Sequence, residues 1–186
     1  MKRLFRLQYN APVTLTFALL SLAALILGNV TDGWTTTYLF SVWHSSLSDI
    51  LTYPRFILHV LGHTDYSHYI GNMMMILVVG PGLEEKYGSR NLLSAIVITA
   101  LVSGLIHWFL FPGTMLLGAS GIVFMMIVMA SLAGMRDGYI PITLILVLIL
   151  YLGNEIVDGI VLSDNVSQLT HIIGGICGAV LGLRRR

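Results

Sequence analysis

The sequence predicts an all-α membrane protein, a bundle of six membrane-crossing helices with both termini on the cytoplasmic side. Three observations carry that prediction. The 186 residues are 56% hydrophobic and only 10% charged, with a mean hydropathy of +0.85, far from the balance of a soluble domain. Apolar runs near the roughly 20 residues that cross a hydrocarbon core occur at about residues 12–30, 68–83, 91–111, 118–135, 139–157 and 166–183. With six crossings, Lys2, Arg3, Arg6, Lys86, Arg90, Arg136, Arg184, Arg185 and Arg186 fall inside and only Arg55 outside, as expected where basic residues near span ends stay cytoplasmic.

The first run follows a basic leader, "MKRLFRLQYNAPVTLTFALLSLAALILGNV", in the manner of a secretory signal. It is longer than a signal's apolar region and five further runs follow, so a retained span is expected. Residues 31–67 then form a long outer segment rich in Trp, Tyr and Phe, residues that favour the membrane interface, and a structured, partly embedded loop is expected there. The second and sixth runs are weaker, because His68, Asn72, His171 and several glycines interrupt them. Polar groups in hydrocarbon are costly, so these interruptions mark where function should lie. Breaks are expected at "GPGLEEKYGSRN", "FPGTMLLG" and "GMRDGYIP". No linker or internal repeat divides the chain, which reads as one domain over residues 1–186.

The net charge of +1 argues against a nucleic-acid partner. The single cysteine, Cys177, cannot form an internal disulfide and reads as a small packing residue.

Ser120 stands in "GASG" between Gly118 and Gly121. Small neighbours let a substrate backbone approach a nucleophilic oxygen, and free N–H groups at a helix start favour a developing negative charge. A serine N-cap after a glycine turn would look the same. A serine nucleophile needs a base, and His171 in "THIIGGICGAVLGL" is the candidate inside the membrane. Gly174 and Gly178 follow it at three and seven residues, the small-xxx-small spacing that lets two membrane helices approach closely. The alternative is a histidine that only bonds between helices. Phe124, one turn after Ser120, offers a ring for an imidazole to stack on, or a place in the core.

"RFILHVLGHTDYSHYIGN" brings His59, His63, His68 and Asn72 together. His68 and Asn72 are four apart, face one way on a helix, and suit an oxyanion site with the Ser120 backbone N–H. His59 and His63 have the spacing of paired zinc ligands but lack the glutamate of H-E-x-x-H and a nearby acid pair. No metal or other cofactor is expected, and these two histidines read as braces of the embedded loop.

Taken together, these pieces resemble the rhomboid family of intramembrane serine proteases, from about Arg55 to Gly178. His68 and Asn72 on the second span, Ser120 in "GASG" opening the fourth, and His171, Gly174 and Gly178 on the sixth come in the family's order. The resemblance implies a six-helix rhomboid-like bundle and a Ser120–His171 dyad without an acid. It also implies an oxyanion hole of His68, Asn72 and Ser120, flanked by the loop of residues 31–67. Gly118, Gly121, Phe124, Gly174, Gly178, His59, His63, Arg55 and Glu84 would support the site. The implied reaction is peptide-bond hydrolysis in transmembrane protein substrates that enter laterally from the bilayer. Small or helix-breaking residues would be favoured at the cut, because a helical peptide bond is sheltered.

The chain departs from the family where Phe124 stands for a frequent tyrosine, Pro54-Arg55 for a Trp-Arg pair, and His107 near a frequent glutamine. The rival readings are a catalytically silent rhomboid-like protein that binds membrane partners, which would not require this residue set, and a small transporter, which the absence of an inverted repeat disfavours. A multi-pass place in a bacterial cytoplasmic membrane is expected.

Overall fold

The computed structural model describes residues 8–133, residues 139, 142, 145, 146 and 149, and residues 165–184. Among the described residues every regular element is helical: α1 (Pro12–Val30), α2 (Trp34–Tyr38), α3 (Thr52–Leu58), a 3-10 turn at His59–Leu61, α4 (Tyr66–Tyr87), α5 (Ser89–Leu110), α6 (Ser120–Ala133) and α7 (Asn165–Arg184). Among the described residues extended pairing is confined to a bridge between Val42 and Leu116. Pro12–Val30 and Ser89–Leu110 are long and apolar enough to cross a membrane, while Ser120–Ala133 and Gln168–Leu183 are shorter apolar stretches. The expected fifth span, 139–157, lies outside the described residues apart from the five positions named above, as do most of the basic residues that would orient the chain.

Most of the predicted break at "GPGLEEKYGSRN" is helix. α4 runs through Gly80, Pro81 and Gly82 and ends only at Gly88, whose φ is +82°. Tertiary packing overrides the local signal: Gly80 lies against Thr14 of α1, where a methyl group would stand 2.6 Å from Thr14 Cγ2. One turn further on, Glu84 accepts from the Val13 N–H at 2.9 Å, the Thr14 N–H at 3.0 Å and the Thr14 hydroxyl at 2.9 Å. The N-cap of α1, Ala11, has no side chain to offer its helix, so a carboxylate 70 residues away satisfies these donors and complements the helix dipole.

α6 occupies the centre and packs against α4, α5 and α7. Every residue from Gly121 to Met129 is buried, the pattern of a helix surrounded on all sides. Ile76 of α4, Leu92, Ala95 and Ala100 of α5, and Ile122, Met125 and Met129 of α6 form its core.

The segment of residues 31–67 carries α2, α3 and the 3-10 turn. Arg55 is buried and ties it together. Its Nε donates to the Tyr38 carbonyl at 2.7 Å, its guanidinium reaches Asp49 at 2.9 Å, and it lies 4.1 Å over the Trp43 ring. The Leu51 backbone N–H, and after it Arg55, hold the Asp49 carboxyl below its ordinary value.

Candidate active site

Ser120 is the first residue of α6, and the turn before it is fixed from two sides. The Gly118 N–H donates to the His59 carbonyl at 2.9 Å, while Val42 and Leu116 exchange both backbone hydrogen bonds at 2.9 Å. The segment of residues 31–67 and this turn are therefore joined through their backbones. Gly118 has a φ of +117°, a conformation L side chains avoid. A methyl group there would also stand 2.8 Å from His68 Nε2, so the glycine admits the imidazole edge to the backbone beside Ser120.

α7 closes on α6 through small residues. A methyl group on Gly174 would fall 2.2 Å from the Gly121 carbonyl oxygen, and one on Gly178 would fall 2.5 Å from that of Met125. Gly121 in turn lies against Thr170. Because Ser120 precedes Gly121 and His171 follows Thr170, this contact brings the two turns together toward the N-terminal ends of the helix pair. The buried rings of Phe124 and His171 stack with centroids 5.4 Å apart and planes 14° from parallel.

His68 and Asn72 sit in the first two turns of α4. Asp65 caps that helix, accepting the His68 backbone N–H at 2.9 Å. Asn72 Nδ2 donates to the His68 carbonyl at 3.1 Å, which uses one of its two amide hydrogens. The remaining histidines brace the loops. His59 Nε2 lies 3.1 Å from the Ala100 carbonyl of α5. The His63 ring packs edge-on to His68 and Tyr69, with centroids 4.9 and 5.6 Å away. The two imidazoles thus face different helices. Burial drives both His59 and His63 well below the ordinary histidine value, to about 4. His107 lies 3.2 Å from the Thr114 carbonyl and stacks on Phe111.

Of the site residues read from the sequence, the structure sets Gly118 against His68, Gly121 against Gly174, and Phe124 against His171, with Ser120 opening α6 and Asn72 one turn after His68. Gly178 continues the α6–α7 contact below them. Arg55, His59 and His63 belong to the flanking loop, and the His59 carbonyl reaches the turn itself. Glu84 stands apart, sixteen residues along α4 from His68 and hence about 24 Å away, where it caps α1. Sequence reasoning missed Thr64, Asp65 and Thr170. Thr64 Oγ lies 3.2 Å from His68 Nδ1 and donates to Asp65 at 2.8 Å. The D-x-x-H spacing that lets Asp65 cap the His68 amide was the available signal. A cavity of about 460 Å3 opens beside the group, between the end of α1, Ser41, His63, Thr64, Met115 and Leu117.

Comparison with known proteins supplies the lineage. Residues 51–186 match the family model described as Rhomboid domain. The chain is 30% identical over 132 residues to "Rhomboid protease GlpG" of Klebsiella pneumoniae, covering 70% of this chain and 47% of that protein. It is 26% identical over 178 residues to the protein of the same name from Pectobacterium atrosepticum, covering 94% of this chain and 63% of that one. With the Serratia proteamaculans protein the identity is 26% over 174 residues, 91% of this chain and 61% of the relative. The chain thus spans roughly half to three fifths of the length of these relatives. With the family model covering well over half of its residues, and the helical core joined at its glycines, the chain belongs to the rhomboid family.

Proposed function

We propose that the chain is an intramembrane serine endopeptidase in which Ser120 is the nucleophile and His171 its base. Chiefly, the reading is supported by the approach of α7 to α6 at Gly174 and Gly121, which sets the His171 turn beside the Ser120 turn with the imidazole stacked on Phe124. His171 takes the Ser120 proton as the oxygen attacks a peptide carbonyl, then returns a proton to the leaving amine. Water hydrolyses the acyl ester by the same steps in reverse order. The oxyanion formed twice is held by the Ser120 backbone N–H, by Asn72 Nδ2 and by the His68 ring. Six spans with both termini inside, transmembrane protein substrates and a bacterial cytoplasmic membrane complete the proposal; the relatives' names and the two long apolar helices favour this setting.

A fluorophosphonate, which labels activated serines, tests the dyad. Labelling of the purified protein should vanish in both Ser120→Ala and His171→Ala. Full labelling of His171→Ala would remove that residue as the base, and no labelling of the unaltered chain would point to a silent binder.

A further inference from the structure

The side chain of His68 has two distinct ends. Its Nε2 points at Gly118, close enough that a methyl group there would stand 2.8 Å away. Its Nδ1 lies 3.2 Å from Thr64 Oγ, and that hydroxyl donates to Asp65 Oδ2 at 2.8 Å. The proton inventory of this chain is restrictive. The Asp65 carboxyl is held below its ordinary value by the His68 backbone N–H and the Thr64 hydroxyl, so it is ionised near neutrality and only accepts. A threonine has one hydroxyl hydrogen, and it is directed at Asp65. Thr64 Oγ is then an acceptor toward His68, and the hydrogen between them belongs to Nδ1. A neutral imidazole carries one ring proton. Nε2, the end facing the Ser120 turn, is therefore a lone pair in the neutral ring.

We propose that Asp65, acting through Thr64, fixes the ring proton of His68 on Nδ1, so that His68 donates to the oxyanion only when doubly protonated. Asp65 and Thr64 are positioning residues: neither reaches the reacting atoms, and both act through the imidazole. The second proton enters from water onto Nε2 before attack. It remains on His68 while the oxyanion forms and collapses, so the proton count of acyl transfer between Ser120 and His171 is unchanged. A charged donor is also a stronger one. Asp65, through Thr64, and the His63 ring at 4.9 Å face His68 from the α3–α4 connection. The turn before α6 offers Leu116, Leu117 and Gly118, none of them charged, and Asp32 lines the far side of the cavity shared with His63 and Thr64.

The tautomer stands on these distances and on the ionised Asp65, whereas its catalytic consequence rests on the proposed role of His68. The two are tested separately. Nitrogen-15 spectra of the full chain, labelled at histidine and held in detergent micelles, distinguish Nδ1–H from Nε2–H rings, and the His68 signal is identified as the one missing in His68→Gln. Near neutral pH the ring should carry its proton on Nδ1 in the unaltered chain and in Thr64→Ser. It should shift toward Nε2–H in Thr64→Val, a replacement at an exposed position. An Nε2–H ring in the unaltered chain overturns the proposal, as does a Thr64→Val spectrum identical to the unaltered one. Cleavage of a transmembrane substrate gives the second readout. Thr64→Val leaves a neutral ring able to donate from Nε2, so the fall in kcat that the unaltered chain should show as pH rises through neutrality should flatten, with KM unchanged. Thr64→Ser should restore the fall; an equally steep fall in Thr64→Val overturns the catalytic part of the proposal. If the unaltered chain cleaves nothing, the protease reading fails while the spectra still decide the tautomer.

Discussion

Gly174 and Gly121 meet backbone to backbone, with no room for a methyl group between them: one on Gly174 would fall 2.2 Å from the Gly121 carbonyl oxygen. A carbonyl at a helix start cannot yield as a side-chain tip can. Gly174→Ala should therefore separate α7 from α6, lowering stability by about 1–3 kcal/mol and abolishing most fluorophosphonate labelling. Gly175→Ala is the control, because its methyl group would meet the Phe124 ring at 3.4 Å, near ordinary contact. Thermal unfolding of the two variants should differ clearly, with Gly175→Ala within about 0.5 kcal/mol of the unaltered chain. Equal losses would mean that this close approach is not the constraint.

The stack of Phe124 on His171 makes a kinetic prediction. Removing the ring in Phe124→Leu leaves both proposed catalytic groups in place but frees the imidazole to tilt. Aromatic pairs contribute about 0.5–1.5 kcal/mol beyond their area, which corresponds to roughly two- to twelvefold in rate. Measured on a transmembrane substrate, that loss should appear in kcat and leave KM near its starting value.

Glu84 should matter to stability and little to chemistry. Glu84→Gln keeps one acceptor oxygen for three donors and loses the charge at the start of α1. A loss of about 1–3 kcal/mol is expected, larger in Glu84→Ala, and seen as a lower unfolding midpoint. Protein that remains folded should keep the kcat of the proposed reaction. A catalytic defect in folded Glu84→Gln would contradict the capping role.

Acid should loosen the loop of residues 31–67. His59 and His63 are held neutral by burial down to about pH 4, whereas in the unfolded chain each takes a proton near its ordinary value, about 6.5. Between those values the unfolded state binds more protons, so stability falls as pH drops. The unfolding midpoint should be nearly flat above about pH 7 and decline from about 6.5 toward 4. In His63→Phe the decline should be shallower. An unchanged slope would assign the acid sensitivity to other groups.

Much of this arrangement is legible in the sequence where a residue answers to its own environment. Pro12–Val30 reads directly as a helix because hydropathy reports a lipid-facing surface. The repeat of His171, Gly174 and Gly178 marks a close-packed face because small residues at that spacing have few other uses in a membrane helix. Legibility fails where a distant partner decides. Gly80, Pro81 and Gly82 look like a break, yet the packing of Gly80 on Thr14 and the bonds of Glu84 keep α4 continuous. Glu84 joins the expected site through family resemblance alone, and its partners are on α1. Thr64 and Asp65 have no periodicity to draw attention; they matter through the two nitrogens of one ring. Thr170 acquires meaning only when Gly121 is found against it.

The capping of α1 by Glu84 also bears on how the chain is made. The first helix leaves the ribosome some 70 residues before the carboxylate that completes it. Until α4 arrives, the Val13 and Thr14 amides must be satisfied by water or lipid headgroups at the membrane surface. Docking of α4 replaces that temporary solvation with a fixed charge. The start of α1 is therefore completed by a residue of α4, the same helix that bears His68.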